Sequence, residues 1–278
     1  MNRRNFLATS SSLVVSNHFL SAKELSFKGR IKKAVKFGKK PNEILMNKIV
    51  GLGFDEIEGS APGLQAHEMK KVCQEMNLPM HGVVYNKHWK VRLSNPDPQV
   101  SRESRLGLAQ AMKESKGVEG TSVLLVPSRV KGEQETHQDL WDRSIRQIRK
   151  LIPLAKELRV HILIETVWNG FCYQPEQFRD YIDEIESPWV QAYFDIGNMQ
   201  KFAPSHEWIR ILGKRTLKLD VKDWGSKNGF CPLGQGDVDW KKVRQELEKT
   251  EFAGWATREG NDGGLENTVK LMDQLLGL

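Results

Sequence analysis

The 278-residue chain contains only three cysteines, Cys73, Cys172 and Cys231, and none of them forms a CxxC pair. Three thiols cannot all pair, and they supply no thiolate cluster, so the sequence argues against a disulfide scaffold and a thiolate zinc site. No apolar run approaches the ~18 residues of a membrane span. Low-complexity linkers are absent, and no Gly-rich phosphate fingerprint follows the first β-like run, which argues against a dinucleotide-binding domain. The lone Gly234-Gln235-Gly236 follows a loop, and Asp237 or Asp239 beside it reads as the N-cap of the next helix. What is present is ordinary for a globular protein: 39% hydrophobic and 28% charged residues, a balance that excludes disorder and collagen-like structure. The length admits one or two domains, and a single α/β barrel of ~250 residues fits it.

Negative charge is in deficit, with 35 Asp+Glu against 42 Lys+Arg, a net of +7. Arg3 and Arg4 account for two of these charges, and residues 29–40 form a dense basic run. Elsewhere the basic residues interleave with acids, as in ESKGVEG and KKVRQELEK. This pattern reads as a solvated mixed surface, with a phosphate-binding stripe as the alternative.

Residues 1–22, MNRRNFLATSSSLVVSNHFLSA, have a basic start, a mildly apolar Ser-rich middle and small residues at their end. The pair Arg3-Arg4 followed by Asn5-Phe6-Leu7 resembles a twin-arginine export signal. An amphipathic N-terminal helix is the alternative, weakened by Asn17 and His18 within the apolar run. No cysteine follows that run, so a lipoprotein anchor is not indicated. The expectation is a signal at 1–22, no membrane anchor, and a mature domain of residues 23–278 working outside the cytoplasm, in a periplasm where the source has one.

From residue 31 the chain alternates β-rich runs with amphipathic stretches. Strands are expected at 31–37, 56–58, 80–85, 122–126, 161–166, 192–196, 216–221 and 255–258. The clearest helical patterns cover 64–76, 138–158, 175–185, 206–212, 240–249 and 266–276. Eight strand–helix units in ~250 residues favour a single (β/α)8 TIM barrel over an open sheet.

Four of the later strands end in acids: ILIE with Glu165, AYFD with Asp195, LKLD with Asp220 and ATRE with Glu259. In a barrel, the C-terminal strand ends face the active site. Acids from strands five to eight would converge at one mouth, where like charges repel unless a cation joins them or some are protonated. An all-oxygen donor set suits one hard divalent ion, Mn²⁺ or Mg²⁺. Lys218 and Lys222 share the face of Asp220. Lys222, nearer the strand end, is the better candidate to offset negative charge or polarise a substrate oxygen.

The segments IETVWN, YFDIGN, LKLDVKDW, PLGQGDVDW and GWATREG, in this order and spacing, resemble the xylose-isomerase-like barrel superfamily of sugar isomerases, sugar 3-epimerases, hydroxypyruvate isomerases and the endonuclease-IV branch. The resemblance runs from about Ile31 to the C-terminus and is densest over Val160 to Gly260. It implies one metal ion held by Glu165, Asp195, Asp220 and Glu259, with Glu165 and Glu259 also serving as acid/base groups. Two positions depart from the commoner pattern. Asp220 stands where many members have a metal-binding His, which hardens the site. Asn198 stands where many have a substrate-contacting His, which removes a titratable group and keeps hydrogen bonding.

Further candidates for substrate contact are Asn169 and Trp168 beyond Glu165, and His81 at the start of strand three, with loop packing or a buried structural role as their alternatives. Glu58 either hydrogen-bonds substrate or forms an interior ion pair. Trp89, Trp224 and Trp240 read as rim or helix-packing aromatics, with Trp224 the best sugar platform among them. Asp223 reads as orienting the loop after strand seven.

The chemistry these residues support is proton abstraction next to a carbonyl, with a divalent ion stabilising the enediolate. Export points to an unphosphorylated sugar or keto-sugar as the small-molecule partner of an isomerase or epimerase. Elimination or hydration of a 3-keto-glycoside by the same metal and glutamates is the alternative. A metal-free sugar-binding protein is another, and an endonuclease-IV-like phosphodiesterase is the weakest, since the strand ends supply few histidines and export removes genomic DNA as partner. Nucleic acid is therefore not an expected partner. The sequence is compatible with an oligomer.

Overall fold

A computed structural model describes residues 26–132 and 135–278; the proposed signal at 1–22 lies outside the described residues. The strands are β1 (Ile31–Lys36), β2 (Glu56–Ala61), β3 (Met80–Tyr85), β4 (Ser122–Leu125), β5 (His161–Ile164), β6 (Val190–Asp195), β7 (Thr216–Val221), β8 (Asp223–Gly225), β9 (Gly229–Cys231) and β10 (Gly254–Arg258). Eight of them close a parallel barrel in the order β1-β10-β7-β6-β5-β4-β3-β2. Closure is made where β1 meets β10, Ile31 opposite Gly254 and Val35 opposite Arg258. The expected (β/α)8 barrel is the fold observed.

The helices are α1 (Glu43–Gly51), α2 (Ala66–Glu75), α3 (Pro98–Gly117), α4 (His137–Arg149), α5 (Ile152–Leu158), α6 (Pro175–Glu184), α7 (Ile196–Gln200), α8 (Ser205–Leu212), α9 (Trp240–Lys249) and α10 (Leu265–Leu276). Among the described residues, no helix is long and apolar enough to cross a membrane. The main apolar core, including Ile57, Met80, Val83, Leu108, Ile162, Phe194 and Trp208, lies between strands and helices. A small cluster of Leu124, Val126, Leu163 and Tyr193 forms a second apolar group. Tyr193 with Asp195, and Lys218 with Asp220, share one face of their strands by the two-residue alternation, so this barrel carries charged and hydroxyl groups where branched aliphatic residues usually dominate.

Three differences from the sequence expectation have clear causes. The helix expected over 138–158 is two helices, because Pro153 in the first turn of α5 lacks an N–H and its ring would meet the carbonyl four residues earlier in a continuous helix. Strand two runs on to Ala61, since Gly59, Ser60 and Ala61 pair with Val83, Val84 and Tyr85. The hairpin β8–β9 was not expected; it pairs Asp223 with Cys231 just above the end of β7. Asp239 caps α9, its carboxylate accepting from the Lys242 N–H.

Candidate active site

Each expected acid is delivered by the end of its strand. Glu165 follows β5 directly, Asp195 is the last residue of β6, Asp220 lies one residue before the end of β7, and Glu259 follows β10. One carboxylate oxygen from each of Glu165, Asp195 and Asp220 lies within 4.8 Å of the others, and all three residues are buried. Glu259 stands outside this trio with its side chain 44% exposed, at the edge of the cavity.

Two lysines enter the cluster. The Lys222 ammonium lies 2.9 Å from Asp195 Oδ2 and 3.2 Å from Glu259 Oε1, and it donates to Asn198 Oδ1 at 3.4 Å. The Lys36 ammonium, at the end of β1, lies 2.5 Å from Glu58 Oε2, 2.7 Å from Asp220 Oδ1 and 3.9 Å from Glu259 Oε2. Glu58 therefore makes the interior ion pair, and it also accepts from the Tyr193 hydroxyl at 3.1 Å. Lys36 is a residue of the site that sequence reading missed. It belongs to the basic run taken as solvated surface, yet it carries the strand-end signal that marked the acids.

Asn198 is brought into the site as expected. Asp195 caps the short helix α7 by accepting from the Asn198 N–H at 2.8 Å, and the Asn198 amide donates to Glu165 Oε1 at 3.2 Å. The approach of α7 to the end of β7 requires Gly197, where a Cβ would come within 2.5 Å of the Lys222 Cβ. Trp168 borders the cavity, donates from its indole N–H to the Asn198 carbonyl at 2.6 Å, and stacks on Phe230 with centroids 4.9 Å apart.

Asn169 and His81 are not brought into the site. The Asn169 amide donates to the Ser128 carbonyl at 2.6 Å and its Oδ1 accepts from the Phe171 N–H, so it stitches the β4 and β5 loops together. His81 lies near the start of β3, at the opposite mouth of the barrel. Its ring contacts Lys218 Nζ at 2.7 Å and Thr257 Oγ1 at 3.1 Å. Lys218 is buried there and has its ammonium held down to about 7 by that burial.

The mouth opens into a cavity of about 520 Å³, whose lining includes Lys36, Glu58, Glu165, Asn198, Lys222 and Glu259. His88, which sequence reading did not single out, and Trp89 close one side. His88 is buried and neutral, its basicity lowered to about 4 by desolvation. Trp89 is a rim residue, as expected. Trp240 packs inside and donates to Asp223, which also accepts from the Gly234 N–H at 2.8 Å; Asp223 thus orients the β8–β9 region as expected. Trp224 meets Trp168 edge-on and is not part of the cavity wall.

The electrostatics separate the two glutamates. Burial first, and then the Asp195 charge, push Glu165 up to about 8. Burial likewise raises Asp195 and Asp220. Burial opposes ionisation of Glu259 too, but the Lys36 and Lys222 ammoniums hold it below its ordinary value. Five carboxylates against two ammoniums leave the cluster short of positive charge. Glu58 Oε1 is buried and accepts no hydrogen bond, while Asp195 Oδ2 and Asp220 Oδ1 are buried, each against one lysine ammonium. A buried oxygen-only set in excess of its positive partners fits a hard divalent cation, and Glu165, Asp195 and Asp220 are the residues that could hold one.

A closed parallel barrel with titratable groups gathered at the C-terminal mouth defines the (β/α)8 class and its usual site. More narrowly, residues 46–275 match the family model described as xylose isomerase-like TIM barrel, and the chain belongs to that family. No curated protein matches the chain by sequence. Among solved structures it is similar to D-psicose 3-epimerase from Clostridium cellulolyticum H10, with 16% identity and a TM-score of 0.72 over 88% of this chain and 96% of that one. It is also similar to D-allulose 3-epimerase from Methylomonas sp., with 18% identity and a TM-score of 0.70 over 89% and 94%. A third similar structure is 3-keto-D-glucoside 4-epimerase from E. coli, with 15% identity and a TM-score of 0.74 over 89% and 100%. At these identities the likeness establishes the shared fold.

Proposed function

We propose that the protein is a sugar epimerase or isomerase that moves a proton at a carbon next to a carbonyl. The observation that carries this reading is the pair of strand-end glutamates lining one cavity, Glu165 buried within it and Glu259 at its edge beside two lysines, with burial raising Glu165 and the lysines lowering Glu259. Such divergence divides acid from base. Glu259, at the cavity edge, accepts the carbon-bound proton, and Glu165, a carboxylate where it would hold an ion, takes up a proton only during turnover and returns it. Return to the opposite face of the same carbon epimerises, and return to the neighbouring carbon isomerises. Lys222 steadies Glu259 and Asp195, and the Asn198 amide orients Glu165. The relatives named for 3-epimerisation and 4-epimerisation of sugars support this class of reaction.

The finer reading includes one divalent ion, Mn²⁺ or Mg²⁺, held by Glu165, Asp195 and Asp220, with Glu259 the fourth acid assigned to it from the sequence. When bound, the ion supplies Lewis-acid stabilisation of developing negative charge on the substrate oxygens. An unphosphorylated substrate is favoured because the two lysines lining the cavity are each already paired with carboxylates, which disfavours a phosphate there. Residues 1–22 remain our proposed export signal, which cell fractionation of the full chain tests directly.

The experiment is solvent-deuterium exchange into D-tagatose and D-fructose, followed by NMR. Glu259→Gln is expected to abolish exchange at the reacting carbon, whereas Glu165→Gln retains slow exchange without forming the epimer. Unchanged exchange in Glu259→Gln refutes the assignment. For the ion, activity that persists after exhaustive chelation, in protein shown by elemental analysis to be free of divalent metal, refutes the metal.

A further inference from the structure

The cavity holding the glutamates does not end at the hairpin. A second cavity of about 460 Å³ adjoins it and shares Asn198, Lys222, Phe230 and Glu259 with the first. Its far wall is made by Cys231, Pro232 and Asn261. Phe230, at the centre of β9, borders both spaces. It is 52% exposed and stacks on Trp168. Its support is fixed: Asp223, at the root of the hairpin, accepts from the N–H groups of Trp224 at 2.9 Å and Gly234 at 2.8 Å and from the Trp240 indole at 3.0 Å. The aromatic partition is therefore preorganised.

Glu259 lies at the junction of the two cavities. A free ketose needs only the first of them, where Glu165 and Glu259 meet its reacting carbon, and it leaves the second to water. A ligand that fills both must run past Glu259 and over Phe230, whose apolar ring suits the C–H face of a sugar, and must be polar enough for a wall carrying Asn261 and Lys222. We propose that the second cavity is a subsite for a second sugar ring, so that the natural substrate is a glycoside or disaccharide with its reacting keto-sugar ring in the first cavity. This inference rests on the sugar reading given above and narrows its substrate class.

Calorimetric titration of the mature protein with D-fructose, and with the glucosyl-fructoses turanose, maltulose, leucrose and isomaltulose, tests it. These disaccharides differ in the ketose oxygen that bears the glucosyl ring. At least one is expected to bind about tenfold tighter than D-fructose, a gain of about 1.4 kcal/mol. Saturation-transfer NMR is expected to show contact with both of its rings. Cys231→Trp places an indole in the second cavity only, and Asn261→Trp does so from another position of its lining should the first variant fold poorly. Either is expected to remove the disaccharide advantage while D-fructose affinity stays unchanged. Equal affinity for D-fructose and every disaccharide overturns the inference alone, as does a disaccharide advantage untouched by filling the cavity in a folded variant. Failure of D-fructose and all the disaccharides to bind overturns the sugar reading and the inference with it.

Discussion

Lys36→Met removes the charge that joins β1 to the acids of the site while keeping much of the side-chain length. In the wild type its ammonium lies 2.5 Å from Glu58 Oε2 and 2.7 Å from Asp220 Oδ1, and both of those residues are 0% exposed. At an effective dielectric of about 20, a unit pair at such distances is worth roughly 6 kcal/mol before desolvation. Desolvation of the lysine offsets part of this, and loss of one partner from a buried pair typically costs about 3–5 kcal/mol. The variant is therefore expected to lose about 3–5 kcal/mol of unfolding free energy at pH 8 in chelator, or on the order of 10 °C in Tm. Asp220 is already raised by burial, despite the neighbouring Lys36. Without Lys36 it takes up a proton more readily, so the deficit is expected to shrink as pH falls towards 5. Adding Glu58→Gln to Lys36→Met is expected to recover part of the loss, because it removes one of the orphaned charges. Urea unfolding at both pH values measures all three quantities. A single variant within about 0.5 kcal/mol of wild type at pH 8, where ordinary surface substitutions fall, refutes the idea that Lys36 is integral to the site.

Further predictions concern Glu165 and Asp223. Glu165 is pushed up to about 8 by burial and by Asp195. A carboxyl raised in this way contributes stability at low pH that is lost as pH rises from its ordinary range to about 8, so the ion-free protein weakens through that window. Binding of Mn²⁺ at pH 7 is expected to release about one proton, read by calorimetry in buffers of different ionisation enthalpy; no release would contradict a protonated Glu165. Asp223→Ala is expected to cost about 1–3 kcal/mol, because it strips acceptors from the buried Trp240 indole and from the Gly234 N–H. It is also expected to quench the rigidity of the β8–β9 hairpin, and unchanged hydrogen-exchange protection of residues 223–231 would argue against that role.

Much of the barrel was legible because strand and helix periodicities are local properties. Runs such as SVLL and HILI fit strands buried on both sides, and both are buried in the parallel sheet. The acids were legible for the same reason: Glu165, Asp195, Asp220 and Glu259 each follow an apolar run at the point where a strand ends. Asn198 was found through its motif neighbour Asp195, three residues away. His81 illustrates the converse. Its residue type suggested the site, but its place at the start of a strand put it at the other mouth. Lys36 was obscured because neighbouring lysines gave it a solvated context, although its alternation with Lys32 and Ala34 marks one face of β1.

The sequence by itself determined the barrel, its approximate strands and the acids at their ends, because each depends on residues a few positions apart. Tertiary structure decided which charges meet. Lys36 and Asp220 are separated by 184 positions, and no local pattern specifies their contact. Closure of β1 onto β10, and of β10 onto β7, brings the first strand end to the carboxylates of the last. The division between Glu165 and Glu259 has the same origin. Both are strand-end glutamates in the sequence, and only burial and the placement of two lysines make ionisation harder for one than for the other.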